Sequence, residues 1–304
     1  MTTTSPELYI LPPTTHHQHT LVLLHGTSMT GPSFASSFLP TQFSSPKRSE
    51  SRLEATKITL PMYFPHCRFV FPTGALKETT VFGGKKTNAW FDITDFSDRT
   101  KGEVEMIKGM RDSTLYLSRL IKDEIELLYD GEERGTKGKV MLLGFSQGSA
   151  MGMMLLLGGE LQRMGVSHGF GGFVGLSGWL PFRRQIMDAI LDGSPKTSTA
   201  EDIATHGESA MIFVRKLLGL DLAGQEWRPT PKAFDVPILL CHGELDRKVR
   251  LEWGTQLRDV LQTLGNNVSL KTYHELAHWW SEDEMRDVAE FLDERWQGRE
   301  ERGE

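Results

Sequence analysis

The chain has 304 residues, 38% hydrophobic and 24% charged, which is the make-up of a globular protein able to bury a full core. A formal net charge of −6, with no long run of Lys and Arg, supplies no electrostatic footprint for nucleic acid. No apolar run approaches the roughly 20 residues that would cross a bilayer, so no transmembrane segment is expected.

In chain order, residues 1–19 read as a flexible, polar N-terminal arm without the basic and apolar blocks of a secretory signal. Short apolar runs then recur at Leu21 to Leu24, Arg68 to Phe71, Val140 to Leu143, Phe173 to Leu176, Ile238 to Cys241 and Val268 to Tyr273. Each has the length of a buried strand. Helix-period segments lie between them: Leu117, Leu120, Ile121, Ile125 and Leu128 share one face, as do Trp253, Leu257, Val260, Leu261 and Leu264. Ala150 to Leu157 is apolar all round, which predicts a helix buried on every side. A last helix begins near Glu282, with Met285, Val288, Phe291 and Leu292 inward, and residues 297–304 form a polar tail. This alternation predicts an α/β fold, with a mainly parallel central sheet and helices on both faces.

Two stretches depart from the repeating unit. Phe43 to Lys57, rich in Ser, Lys, Arg and Glu, reads as a solvated loop. The segment at about 183–236 is too long for one connection and contains an amphipathic pattern from Ser209 to Leu220 followed by Arg228-Pro229-Thr230-Pro231. It reads either as a lid over the functional edge of the sheet or as an inert surface excursion. The two cysteines, Cys67 and Cys241, flank strand-like runs without metal-ligand spacing, as expected of buried reduced thiols in a cytoplasmic protein.

The strongest chemical signal is Val140-Met141-Leu142-Leu143 running into Gly144-Phe145-Ser146-Gln147-Gly148 and then an apolar helix. A Gly-x-Ser-x-Gly turn between a strand and a helix forces the serine into a strained conformation above the sheet, and the glycines avoid backbone collisions. Ser146 is therefore the expected nucleophile, at a helix N-terminus that favours developing negative charge. The rival reading, a chance turn in a nucleotide-binding fold, predicts a phosphate-binding glycine loop, and the chain has none.

A serine hydroxyl needs a base, and the base needs an orienting carboxylate, in the chain order serine, acid, histidine. Two strand ends downstream supply them: His242-Gly243-Glu244-Leu245-Asp246 and Tyr273-His274-Glu275-Leu276-Ala277-His278. Asp246 competes with Glu244, and the shorter side chain favours Asp246. His278 competes with His274, which lies nearer its strand. His242 and His25, each before a glycine, read as structural. For the oxyanion, one backbone N–H comes from Gln147 and the second from Thr27, in the loop after Leu21 to Gly26.

These residues resemble the acyl-protein thioesterase and carboxylesterase family, also described as the phospholipase/carboxylesterase group. The matching stretches are Leu24-His25-Gly26, Phe69 to Pro72, Trp90-Phe91-Asp92-Ile93, Gly144 to Gly148, Leu176 to Pro181, His242 to Val249 and Lys271 to His278. The resemblance implies an α/β-hydrolase fold, with Ser146 as nucleophile, Asp246 as acid, His278 as base and the Thr27 and Gln147 amides at the oxyanion. It also implies that Trp90, Trp179 and Asp92 lie near a substrate pocket. The implied activity is hydrolysis of a carboxylic ester or thioester, carried by an S-acylated protein, a lipid or a small metabolite, with no metal or organic cofactor. A non-catalytic ligand receptor on the same fold is the alternative from another class. The sequence sets no oligomeric state. Three features depart from the family pattern: Thr27-Ser28-Met29-Thr30-Gly31 replaces its Leu-Gly-Asp loop, Arg250 stands where it has proline, and its short connection after Leu-Pro becomes the 183–236 insertion.

Overall fold

The computed structural model describes residues 7–45, 57–129, 138–192, 200–221, 227, 229 and 236–297. Seven strands form the main sheet: β1 (Leu8–Leu11), β2 (His19–Leu24), β3 (Cys67–Pro72), β4 (Val140–Phe145), β5 (Phe170–Leu176), β6 (Ile238–Gly243) and β7 (Val268–Tyr273). Their order is β1-β3-β2-β4-β5-β6-β7, parallel throughout except for β1, which pairs antiparallel with β3. The helices that matter here are α1 (Gly31–Phe38), α2 (Glu103–Tyr129), α3 (Gln147–Leu157), α4 (Arg183–Asp192), α5 (Ala200–Leu218), α6 (Leu251–Thr263) and α7 (Glu282–Gln297). Among the described residues, no helix is long and apolar enough to cross a membrane.

Strand alternation divides the core into two layers. Leu21, Leu23, Met141, Leu143, Val174 and Leu176 pack with Phe34 and Phe38 of α1 and Val288 and Leu292 of α7. Val22, Leu24, Leu142, Phe173 and Leu240 pack on the opposite layer with Leu117 and Ile121 of α2 and with α3. Because the central strands are covered on both faces, they read in sequence as unbroken apolar runs rather than alternating ones. That is why five of the seven were legible as apolar runs, whereas β7, at one edge of the sheet, is alternating and partly exposed.

The N-terminal arm needs correction. Residues 1–6 lie outside the described part, but Leu8–Leu11 is a strand in register with Phe69–Pro72 and so belongs to the sheet. Flanking prolines and partial exposure hide it, as befits an edge strand. The 43–57 stretch also has structured ends: Gln42–Ser44 pairs antiparallel with Lys57–Thr59, and Phe43 is buried. Residues 46–56, Arg228, Thr230, Pro231 and the tail from 298 lie outside the described residues.

The described residues of the insertion add to the core. Its helix α5 packs on α2, α3 and α4, burying Ala210, Met211, Val214 and Leu218 in the same core layer as Met153 and Leu155 of α3. Arg215 reaches from α5 to Glu160, just beyond the end of α3. This explains why α3 has no polar face: the sheet covers one side and the insertion helps to cover the other.

Candidate active site

At the C-terminal end of β4 the chain turns through Ser146, at φ 54° and ψ −117°, into α3. This strained conformation is held by the Ser146 amide, which donates to the Leu176 carbonyl at 2.8 Å. Both glycines of the turn are sterically required. A Cβ on Gly144 would lie 2.4 Å from the backbone of Gly148, and one on Gly148 would lie 2.2 Å from the Leu24 carbonyl oxygen.

The turns after β6 and β7 bring two more of the chosen residues to Ser146. Its Oγ lies 3.0 Å from His278 Nε2, and His278 Nδ1 lies 2.7 Å from Asp246 Oδ2. The other carboxylate oxygen of Asp246 accepts the Lys248 and Val249 amides, each at 2.9 Å. Burial by itself raises the Asp246 pKa. The hydrogen bond and charge of His278, the Val249 amide and nearby His242 outweigh it, and hold the carboxyl below its ordinary value. The Phe145 ring packs 5.1 Å from the His278 ring, centroid to centroid, and so limits its rotation.

The residues weighed against these occupy other positions. Glu244 and His274 pair with each other at 3.0 Å on the exposed side of the same two turns. The contact raises the His274 pKa through its hydrogen bond to Glu244. His242 is buried and bonds the Val249 carbonyl at 2.7 Å; burial is the main cause of its lowered pKa. His25 is fully buried, and burial takes its pKa down to about 4. Its Nε2 accepts the Gly74 amide at 2.8 Å, so its Nδ1–H donates to the Gly26 carbonyl at 2.7 Å. Both histidines thus serve as neutral braces for strand-end loops.

A cavity of about 480 Å³ opens beside Ser146 and His278. Thr27, Ser28 and Met29 line one part, and Phe82, Phe96, Arg99 and Trp279 line others. Phe82 and Phe96 lie in the 76–99 segment, their rings in edge contact at 5.6 Å. No described residue of the 183–236 insertion reaches this cavity.

Trp90 is not a pocket residue. It is fully buried, donates from Nε1 to the His25 carbonyl at 2.8 Å, and stacks near the His25 ring. The Gln147 side chain braces the same segment, accepting the Trp90 amide at 3.0 Å and donating to the Phe91 carbonyl at 2.8 Å. Asp92 caps the Thr80–Phe82 turn by accepting the Thr80 amide and hydroxyl. Trp179 lines a separate, smaller cavity that meets the first only through Arg99. Sequence reasoning overlooked Arg99, Phe82 and Phe96. They lie in a segment without helix or strand periodicity, and Arg99 is singled out by the Phe96, Trp179 and Trp253 rings beside it.

Comparison with known proteins bears on the family and the fold. The phospholipase/carboxylesterase family model matches residues 6–212 and 222–295. Acyl-protein thioesterase 1 of Neurospora crassa is 25% identical over 289 residues, covering 94% of this chain and 90% of that protein. A homologue of acyl-protein thioesterase 1 from Dictyostelium discoideum is 25% identical over 227 residues, covering 75% of this chain and 76% of its own length. The crystal structure of Zea mays acyl-protein thioesterase 2 superposes with a TM-score of 0.61 at 23% identity, covering 96% of this chain and 99% of that one. The elbow at Ser146, the parallel sheet beneath it and the extent of the family match together make this chain a member of the phospholipase/carboxylesterase family of α/β-hydrolases.

Proposed function

We propose that the protein hydrolyses carboxylic esters or thioesters through an acyl-Ser146 intermediate. The observation that carries this reading is the unbroken hydrogen-bonded line from Ser146 through His278 to Asp246 at the wall of an open cavity. His278 Nε2 takes the Ser146 proton as Oγ attacks the carbonyl carbon, and the bond to Asp246 keeps the remaining proton on Nδ1. The backbone amides of Thr27 and Gln147 are the proposed donors to the oxyanion. Collapse of the tetrahedral adduct expels the alcohol or thiol, which takes the proton from His278 Nε2. Water then repeats the sequence on the acyl-serine, releasing the acid and restoring the serine.

The names of the thioesterase relatives support an S-acylated protein as one substrate class. The aromatic cavity wall of Phe82, Phe96 and Trp279 supports a second, a lipid or small ester entering without a protein partner. Turnover of an S-acyl peptide compared with short and long oxygen esters separates them. The buried free thiols Cys67 and Cys241 support a cytoplasmic location. Labelling by a fluorophosphonate tests the reaction class: the wild type is labelled and Ser146→Ala is not. Absence of label in both proteins sinks the hydrolase reading in favour of a receptor.

A further inference from the structure

The second cavity, of about 270 Å³, has an unusual charge for a chain of net charge −6. Arg99, Arg183, Arg184 and Arg250 line it together with Trp179 and Trp253. Two carboxylates, Asp98 and Glu103, share the wall, but both already have neutral partners: Asp98 accepts the Thr100 amide and hydroxyl, and Glu103 accepts the Gln185 amide group. Arg184 lies 3.8 Å from Asp188, whereas Arg99, Arg183 and Arg250 have no carboxylate within ion-pair distance among the described residues.

Arg99 is the residue that needs explaining. It is only 7% exposed, and a buried cation with no carboxylate in ion-pair contact is costly, although Asp246 and Asp95 favour its charge from beyond that distance. Its guanidinium is held by the Lys248 carbonyl at 3.0 Å and by aromatic rings, with Trp179 at 4.5 Å, Phe96 at 5.1 Å and Trp253 at 5.5 Å. The buried Nε has no partner. Burial lowers its pKa to about 10, which still leaves it charged at neutral pH. It also borders the cavity beside Ser146, where Arg247 and Lys248 add positive charge and no carboxylate lines the wall. Arg250, stacked over Trp253 at 4.6 Å, stands on the turn that carries Asp246.

We infer that the substrate carries an anionic group, a carboxylate or a phosphate monoester, and that Arg99 and Arg250 bind this group in the second cavity while the ester lies at Ser146. A planar guanidinium suits either oxyanion, and the rings that hold Arg99 in place reduce the entropy lost on binding. The inference rests on the hydrolase reading above and narrows it to one class of ester.

The test compares matched esters. On the acyl side, 4-nitrophenyl hemisuccinate is paired with its neutral methyl ester. On the alcohol side, acetylated glycerol 3-phosphate is paired with acetylated glycerol. In the wild type, the anionic member of at least one pair should have a kcat/KM about ten- to a hundredfold higher, mainly through KM. Which pair responds identifies the source of the anion. Arg99→Gln and the exposed-site variant Arg250→Gln should each bring that ratio down at least severalfold, with Arg99→Lys intermediate. As a readout independent of turnover, inorganic phosphate or succinate should perturb tryptophan fluorescence in Ser146→Ala but not in Ser146→Ala/Arg99→Gln. Equal turnover of both members of each pair, or a preference for the neutral ones, overturns the inference and leaves the hydrolase reading intact. Failure to hydrolyse any of the four esters, together with absent fluorophosphonate labelling, overturns the hydrolase reading. Fluorescence that neither anion alters overturns the anion site in either case.

Discussion

Arg215 on the inserted helix α5 and Glu160 beyond α3 form an ion pair of 2.8 Å with both side chains closed to solvent. Arg215 also donates to the Gly158 carbonyl at 2.7 Å and stacks over Trp227 at 4.7 Å. Removing one partner of such a pair leaves a buried charge under-compensated, at a cost of about 3–5 kcal/mol, reduced here because Arg163 also binds Glu160. Arg215→Met is therefore expected to lower the denaturant midpoint while leaving the preference for acyl length as it was. Deleting 183–236 should expose the nucleophile helix and unfold the protein. A stable deletion variant with altered acyl preference would favour the lid reading.

Acyl selectivity should instead respond to Phe82 and Phe96. Each buried methylene contributes about 0.8 kcal/mol, close to fourfold in kcat/KM. Phe82→Ala and Phe96→Ala are expected to flatten the dependence on acyl length by roughly that factor for each methylene no longer covered. A chain-length series with 4-nitrophenyl esters measures it. An unchanged slope in both variants would place the acyl chain elsewhere.

Asp246→Asn preserves the shape of the acid but permits the wrong histidine tautomer, because the amide can donate to His278 Nδ1. Loss of about ten-thousand-fold in kcat is expected. Since the Asp246 pKa is held below its ordinary value, the wild-type carboxylate also supplies stability that is present above the unfolded-state pKa and is lost as pH falls through the folded one. Acid titration of the melting temperature should show this component in the wild type and not in the Asn variant.

Gln147 has two separable duties. Its backbone amide is proposed for the oxyanion, while its side chain pairs the buried Trp90 amide and Phe91 carbonyl. Gln147→Ala keeps the backbone donor and leaves both partners unsatisfied, a loss of about 2–4 kcal/mol. Urea unfolding should register that loss, and fluorophosphonate labelling of the folded fraction should persist.

Glu284, fully buried at the start of α7, accepts the Ser281 amide, and the Ser281 hydroxyl accepts the Glu284 amide. Burial pushes its carboxyl pKa up to about 8, from an ordinary value of 4.5. The folded protein therefore holds a proton that the unfolded chain has lost between those values, and stability falls as pH rises across the window. The slope is at most about 1.4 kcal/mol per pH unit. Glu284→Gln should remove that slope and be more stable than the wild type near pH 8. Parallel Tm profiles of the two proteins would count against it.

Much of the site was legible because its chemistry is tied to strand ends. Ser146, Asp246 and His278 each follow an apolar run, and only the short turns after those runs had to be judged. Trp90 misled because sequence cannot tell a core indole from a pocket wall, whereas Trp179 does line a cavity, the second one. The amphipathic character of the insertion was readable, but the face of the protein it covers depends on α3 having a bare outer side. Leu76–Thr79 and Lys85–Asn88 form a small hairpin that escaped notice, since Lys77, Lys85 and Lys86 mask any apolar alternation. Arg99 gains its meaning from Trp179 and Trp253, both remote in sequence.

The turn that presents Asp246 is fastened through its main chain: the Lys248 and Val249 amides bond Asp246 itself, and the carbonyls of the same two residues accept from Arg99 and His242. Its outward residues Arg247, Lys248 and Arg250 are consequently free to change without disturbing the acid. Selection or engineering can thus rewrite the charge that greets a substrate while the proton-transfer line stays intact. A descendant with a reversed preference for charge could arise from this single loop.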